Sequence, residues 1–388
     1  FLALFTATAS VQPFLAHGSI VRNSGTDMFG YLSESALLTL QAHVFEPGQS
    51  TPLDKLLNPF WEALARLLPA SISPNVISLL GGAFATGAAI TCACAAHFES
   101  RSLHIAASLG ILLYQTFDAV DGKHARNTRQ TTPLGAVIDH GVDALVCLMC
   151  VVSLYSLWES FVEPSTVTFA VGAALYNMAW FCSQWAEFET HVTDVRGITE
   201  AECLMAFLIS LPGFLGLEIY NTLISVPLLG VMQFRAFAEL LVCVLSAVGV
   251  LAHVLRVMLV TRRPGAFAPP SYMILHGIAS VAFNATSLGR QSPLITLLVV
   301  NMNAVTFMTK MRLSASTSTP WPVVHLDTFP FFLLVACELA GCQLGGGALV
   351  SVLAWQSLTF ILMWHNTVSR ICASLDIPFL CPVQQKQG

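Results

Sequence analysis

Apolar residues in this chain gather into ten long runs separated by short polar stretches, at about 75–98, 103–121, 135–158, 164–186, 201–221, 236–260, 267–289, 292–309, 328–345 and 347–366. A helix needs about 20 mostly apolar residues to cross the hydrocarbon core of a bilayer, so each run predicts a membrane-spanning helix. The stretch before the first run has a different pattern. In Leu53–Leu68, Trp61, Leu64 and Leu68 recur at helical spacing, with Glu62 and Arg66 on another face. This predicts an amphipathic helix lying on the membrane surface, with a core helix of a small amino-terminal domain as the alternative. Pro69 and Pro74 then break the chain ahead of the first span.

Composition supports the same picture. Of 388 residues, 55% are hydrophobic and 10% charged, against about 25% charged in a soluble domain. The mean hydropathy of +0.70 leaves too little polar surface for water. The expected fold is therefore all-α and polytopic: about ten transmembrane helices plus the interfacial helix. With no basic run or basic–aromatic patch, the net charge of −5 offers nothing to a nucleic acid. Most of the eleven cysteines sit in apolar runs and read as small buried hydrophobes. Cys147 and Cys150 form a CxxC in mid-span, with no second pair to make a metal site. Residues 1–16 are apolar but short and lack a preceding basic flank, so no signal peptide is predicted.

Lysine and arginine placement predicts the orientation. With ten spans and a cytosolic amino terminus, Arg22, Lys55, Arg66, Lys123, Arg126, Arg129, Arg196, Arg262, Arg263, Lys310, Arg312, Arg370 and Lys386 face the cytosol. Arg101, Arg235 and Arg290 face the other side. That bias puts the 121–134 connection in the cytosol, where nucleotides are found.

The chemistry concentrates in one place. Of nine aspartates, four fall between residues 118 and 143. Asp118 and Asp121 are three apart at the end of the second span; Asp139 and Asp143 are four apart at the start of the third. Each spacing puts two carboxylates on one helix face, and a connection of about a dozen residues lets the faces oppose each other. Four carboxylates at membrane depth repel one another and need cations. Two divalent ions would balance them, and hard oxygen ligands favour Mg²⁺ or Mn²⁺. Such a pair suits phosphoryl transfer. Gly122 and Gly135 leave room for a phosphate or a neighbouring helix, while Arg126, Lys123 and Arg129 can pair with phosphate oxygens.

Asp118, Asp121, Gly122, Ala125, Arg126, Gly135, Asp139 and Asp143 together match the signature of the CDP-alcohol phosphatidyltransferase family without departure. Outside it, Asn58-Pro59-Phe60-Trp61, Ser73–Ser78, Asp139-His140-Gly141-Val142-Asp143, Trp185–Thr190 and Ile198-Thr199-Glu200 resemble the choline/ethanolamine phosphotransferase branch. The resemblance implies transfer of phosphoethanolamine or phosphocholine from a CDP-alcohol to diacylglycerol, or an alkyl-acyl analogue, releasing CMP. It implies two Mg²⁺ or Mn²⁺ ions on the four aspartates, and His140 as the base that takes the lipid hydroxyl proton. Glu200 would sit near that base, with Asn75, Gly122, Ala125, Arg126, Arg129 and Gly135 around the CDP-alcohol. It also implies a homodimer in endoplasmic reticulum or Golgi membranes. Residues 75–222 would be the catalytic helices, preceded by an amino-terminal segment over 1–74. Residues 223–388 would serve lipid access and dimer contacts. Ala136 stands where many members carry an acidic residue, leaving one polar contact to nucleotide or head group without its usual provider.

Other readings stay open at this point. Asp143 is a rival base, and Glu200 in a first helical turn is also what the helix dipole favours. Glu338, His253, His276 and Asn301 lie inside apolar runs, as functional groups or as interhelical hydrogen-bond partners. The signature also fits a phosphatidyltransferase using CDP-diacylglycerol with inositol, glycerol phosphate or serine. A divalent-metal transporter is the alternative from another class.

Overall fold

The computed structural model describes residues 32–42, 50–159, 166–192, 197–261, 265–321 and 325–382. Arg22, Arg196, Arg262, Arg263 and Lys386, used above for orientation, lie outside these residues, as does the 1–16 segment. The described helices are α1 (Glu34–Ala42), α2 (Pro52–Leu67), α3 (Pro74–His97), α4 (Arg101–Asn127), α5 (Pro133–Glu159), α6 (Thr166–Thr190) and α7 (Ile198–Leu215). They continue as α8 (Phe234–Val260), α9 (Ala268–Asn284), α10 (Ser287–Gln291), α11 (Pro293–Thr317), α12 (Phe329–Leu339) and α13 (Gly346–Leu375). Prolines open α2, α3, α9, α11 and α12, where the missing N–H has no helical partner to lose. Between α7 and α8 a 3-10 turn (Leu217–Asn221) leads into an antiparallel hairpin, β1 (Leu223–Val226) and β2 (Gly230–Gln233), that no sequence signal had predicted.

Among the described residues, seven helices are long and apolar enough to cross a membrane: α3, α4, α5, α7, α8, α11 and α13. The protein is a polytopic all-α membrane protein. The other three expected spans fall short among the described residues for physical reasons. α6 has the length, at 25 residues, but carries Asn177, Gln184, Glu187 and Glu189. α9 ends after 17 residues and α12 after 11. α8 shows the opposite balance: Leu240, Val244, Leu245, Val248, Leu251 and Leu255 are all exposed, a surface suited to lipid.

α3 packs against α4 and α5, α4 against α7, and α6 against α8, α9 and α11. α11 is the hub, touching α5, α6 and α13 and buried along most of its length. Several of its polar side chains find partners on neighbouring elements, as burial in apolar surroundings favours. Asn301 Oδ1 accepts from Asn177 Nδ2 at 2.7 Å, and Asn303 Oδ1 from Gln356 Nε2 at 2.8 Å. Lys310 Nζ donates to Asp327 at 2.7 Å, and Arg312 Nη1 to Glu187 at 2.6 Å. Lys310 and Arg312, counted above as cytosolic cations, are instead buried, because α11 runs on to Thr317 beyond the expected end at 309. Two more of the polar groups noted in the apolar runs, His276 and Glu338, also have structural partners. His276 Nε2 meets Val300 O at 3.1 Å, and Glu338 Oε1 accepts from Leu344 N at 3.2 Å. All described cysteines are free thiols.

α2 settles against the bundle through Trp61 and Ala65, which pack with Ile77 and Val120. Leu56, Phe60 and Leu67 stay exposed, an apolar stripe of the kind that suits a membrane interface. A capping box fixes its start: Asp54 N donates to Thr51 Oγ1, and Thr51 N to Asp54 Oδ2.

One close approach joins α5 to α13. A Cβ on Gly141 would fall within the ring of Trp364, whereas one on Gly87 of α3 would meet nothing within 4 Å. Gly141→Ala is therefore expected to lose about 1–3 kcal/mol by overpacking. Gly87→Ala should be neutral or slightly stabilising, since alanine favours a helix by about 1 kcal/mol over glycine. Thermal unfolding of the two variants in detergent checks the contrast; equal midpoints would refute it.

Candidate active site

α4 and α5 run antiparallel and are joined by residues 128–132, a shorter connection than expected because α4 continues past Asp121 to Asn127. The turn is fixed by Gln130 N donating to Ala125 O at 2.7 Å, with Arg129 left-handed at φ 55°. Gln130 Nε2 also donates to Ala70 O at 2.8 Å, and Thr132 Oγ1 accepts from Gly135 N at 3.0 Å. These contacts hold the acidic faces of the two helices opposite each other.

Asp118, Asp139 and Asp143 each bring a carboxylate oxygen to within 4.8 Å of the others. Asp121 is buried behind them, beside Asp139, where Ser78 Oγ of α3 donates to its Oδ2. Asp143 is held from two directions: Tyr114 Oη donates to its Oδ1 at 2.9 Å, and His140 Nδ1 stands 3.4 Å from its Oδ2. Half-buried carboxylates this close repel unless cations lie between them, and hard oxygens suit a small divalent ion. The donor set therefore fits the metal expected from the sequence.

The cluster opens into a cavity of about 520 Å³. Asp118, Asp139, His140 and Asp143 form its acidic wall; α2 contributes Asp54, Lys55, Asn58 and Trp61, and α6 contributes Trp180, Gln184 and Glu187. Glu202 of α7 and Arg312 of α11 close it. Lys123 lies over the Trp61 ring, 5.3 Å from its centroid, so that this wall is both basic and aromatic.

The remaining sequence-predicted residues lie around this cavity and not in its wall. Asn75 is buried and its Nδ2 donates to Phe379 O at 2.7 Å, tying α3 to the carboxy-terminal segment. Its Oδ1 lies where a Cβ on Gly135 would come within 3.5 Å. Gly122 makes room for Arg126, whose Nη1 would stand 3.3 Å from an added Cβ. Ala125 is buried, and Arg126 and Arg129 are exposed at the end of α4. Glu200 occupies the first turn of α7. Two residues further on, about 200° around the helix, Glu202 faces the cavity. Sequence reading missed Glu202, Glu187 and Arg312. Glu202 carried a local signal, an acid just inside an apolar run, whereas Glu187 and Arg312 lie just past the ends of theirs.

Residues 71–231 match the sequence model of the CDP-alcohol phosphatidyltransferase family. Choline/ethanolaminephosphotransferase 2 of Arabidopsis thaliana is 38% identical over 125 residues, covering 31% of this chain and 32% of that protein. Cholinephosphotransferase 1 of Saccharomyces cerevisiae is 30% identical over 166 residues, 42% of each chain. Cholinephosphotransferase 1 of Gallus gallus is 26% identical over 200 residues, 49% of this chain and 58% of that one. The chain thus spans between about a third and three-fifths of the length of these relatives. The matched segment contains α4 and α5 with all four aspartates, so the similarity to the CDP-alcohol phosphatidyltransferase family covers residues 71–231 and takes in the whole acidic cluster.

Proposed function

We propose that the protein transfers phosphoethanolamine or phosphocholine from the corresponding CDP-alcohol to the hydroxyl of diacylglycerol, or an alkyl-acyl analogue, releasing CMP. The observation that carries this is the convergence of Asp118, Asp139 and Asp143 on one wall of a cavity large enough for a nucleotide, inside the segment that matches the family. The names of the relatives supply the head groups.

Asp118, Asp139 and Asp143, with Asp121 beside them, would hold two Mg²⁺ or Mn²⁺ ions. Bound there, the ions would neutralise the diphosphate and the charge on the attacking and leaving oxygens. Asp143, itself held by Tyr114, orients His140 from its Nδ1 side, and the imidazole would take the proton of the lipid hydroxyl. The lipid oxygen then forms a bond to the phosphorus that bears the alcohol, the anhydride bond breaks, and CMP departs. No covalent enzyme intermediate is needed: Ser78, whose Oγ donates to Asp121, is buried behind the cluster and does not line the cavity. Arg126 and Arg129, with Asn75, Gly122, Ala125 and Gly135 shaping the surroundings, attract and seat the nucleotide end.

Residues 75–222 serve as the catalytic helices on this reading, and the helices from 223 onward as the lipid route and dimer contacts. α11 adds Arg312 to the cavity wall from that second part. A homodimer in endoplasmic reticulum or Golgi membranes, with the cavity towards the cytosol, completes the proposal.

The test is a membrane assay with labelled CDP-ethanolamine, CDP-choline and CDP-diacylglycerol in parallel, each with Mg²⁺, Mn²⁺ or excess chelator. Metal-dependent transfer from a water-soluble CDP-alcohol to diacylglycerol is expected, and chelation should abolish it. Transfer from CDP-diacylglycerol alone, or turnover that survives chelation, would overturn the reading. Metal flux into proteoliposomes without nucleotide would point to transport instead.

A further inference from the structure

We propose that Glu202 recognises the positive charge of the donor's head group, an inference that rests on the transfer reaction proposed above. Glu202 lines the same cavity as the aspartates and is only 5% exposed, so water does little to stabilise its charge.

The other acids of the cavity wall are already engaged. Asp54 accepts from Thr51 N at 2.8 Å and from Thr199 Oγ1 at 2.7 Å, which ties α2 to α7. Glu187 accepts from Arg312 Nη1 at 2.6 Å. Asp118, Asp139 and Asp143 share the cation site. Glu202 stands against Tyr114, but its Oε1 is buried with no hydrogen-bond partner. A buried carboxylate oxygen left without a donor is costly, so a cation entering the cavity gains most by meeting it there.

Its location suits the head group. Glu202 lies close to Asp143 and Tyr114, hence next to the end of the site where His140 stands and where the phospho-alcohol is handed over. Two divalent ions balance four aspartates, which leaves the charge of Glu202 for a monovalent partner. The ammonium of ethanolamine and the quaternary ammonium of choline are both monovalent cations. Trp180 lines the same cavity and offers an aromatic face of the kind that attracts such cations.

The test uses purified full-length protein in detergent with Mg²⁺ and labelled CMP. CMP is displaced either by CDP-choline or by its neutral carbon isostere, in which a tert-butyl group replaces the trimethylammonium. In the unsubstituted protein CDP-choline is expected to displace CMP at a concentration roughly tenfold lower or more, the scale of a cation–carboxylate attraction shielded from water. In Glu202→Gln that advantage should shrink to about threefold or less, with CMP affinity unchanged. Glu202→Asp, which keeps the charge, should retain the preference and shows whether any loss in the glutamine variant comes from misfolding. A preference preserved in Glu202→Gln, or CMP affinity falling together with both donors, would overturn the assignment. Absence of CMP and CDP-alcohol binding in the unsubstituted protein would instead remove the transfer reading on which it rests.

Discussion

Replacing Asp139 with asparagine is expected to abolish metal-dependent transfer while leaving the protein folded and at least as stable without metal. Asp139 lies at the middle of the cluster: it shares the convergent site with Asp118 and Asp143, and its carboxyl is also beside Asp121. Asparagine has the same shape but no charge. Loss of an outer contact to a metal ligand costs roughly 10–100-fold in affinity or activity, so loss of a ligand itself should exceed about 100-fold. Stability should move the other way. Without cations the carboxylates repel across a half-buried wall, and removing one charge relieves that repulsion. Function at this site is thus maintained against local stability. Two measurements check the prediction on the same samples. Unfolding midpoints with and without Mn²⁺ should show a metal-induced rise in the unsubstituted protein and little or none in Asp139→Asn. Transfer assays should show activity at background. A variant that keeps activity within tenfold, or the full metal-induced rise in midpoint, would mean that these carboxylates do not hold the ions.

The acidic cluster was legible in the sequence because its geometry is local. Spacings of three and four fix a shared helix face, and one tight turn brings the two faces together. The apolar runs likewise revealed the helical membrane architecture. Where each helix stops was less legible, because hydropathy alone does not see it: α9 ends at Asn284 and α12 at Leu339, inside runs expected to reach 289 and 345. The rest of the cavity was not legible because it is assembled from distant parts. Glu187 meets Arg312 across 125 positions, and Asn75 meets Phe379 across 304. No periodicity records such pairs. Lys310 and Arg312 show the consequence. Read as cations near a helix end, they predicted a cytosolic loop, yet each is buried against an acid from another segment. Helix phase explains the remaining difference. Glu200 and Glu202 are two residues apart in sequence, yet about 200° apart around α7, and only the second faces the cavity.

His140→Ala is expected to lower kcat by about 10²–10⁴, the usual contribution of a positioned general base, while CDP-alcohol binding changes by no more than a few-fold. The geometry separates the two effects. His140 lines the cavity with Nδ1 3.4 Å from Asp143 Oδ2, and Asp143 is held at its other oxygen by Tyr114. A carboxylate anchored in this way fixes the ring, much as an orienting acid does for other histidine bases. Removing the imidazole leaves Asp118 and Asp139 in place, so nucleotide affinity should persist. Asp143→Asn is expected to lose both turnover and affinity, because Asp143 belongs to the metal cluster as well as to the histidine pair. Added imidazole distinguishes a missing base from a collapsed site. It should restore part of the turnover of His140→Ala, where a cavity the size of the ring has been left, and none of that of Asp143→Asn. If His140→Ala instead loses CDP-alcohol affinity in parallel with Asp143→Asn and does not respond to imidazole, then His140 acts through the nucleotide and the proton must leave by another route. In that case Asp143 becomes the base, since it is the one carboxylate of the cluster already joined to both Tyr114 and His140.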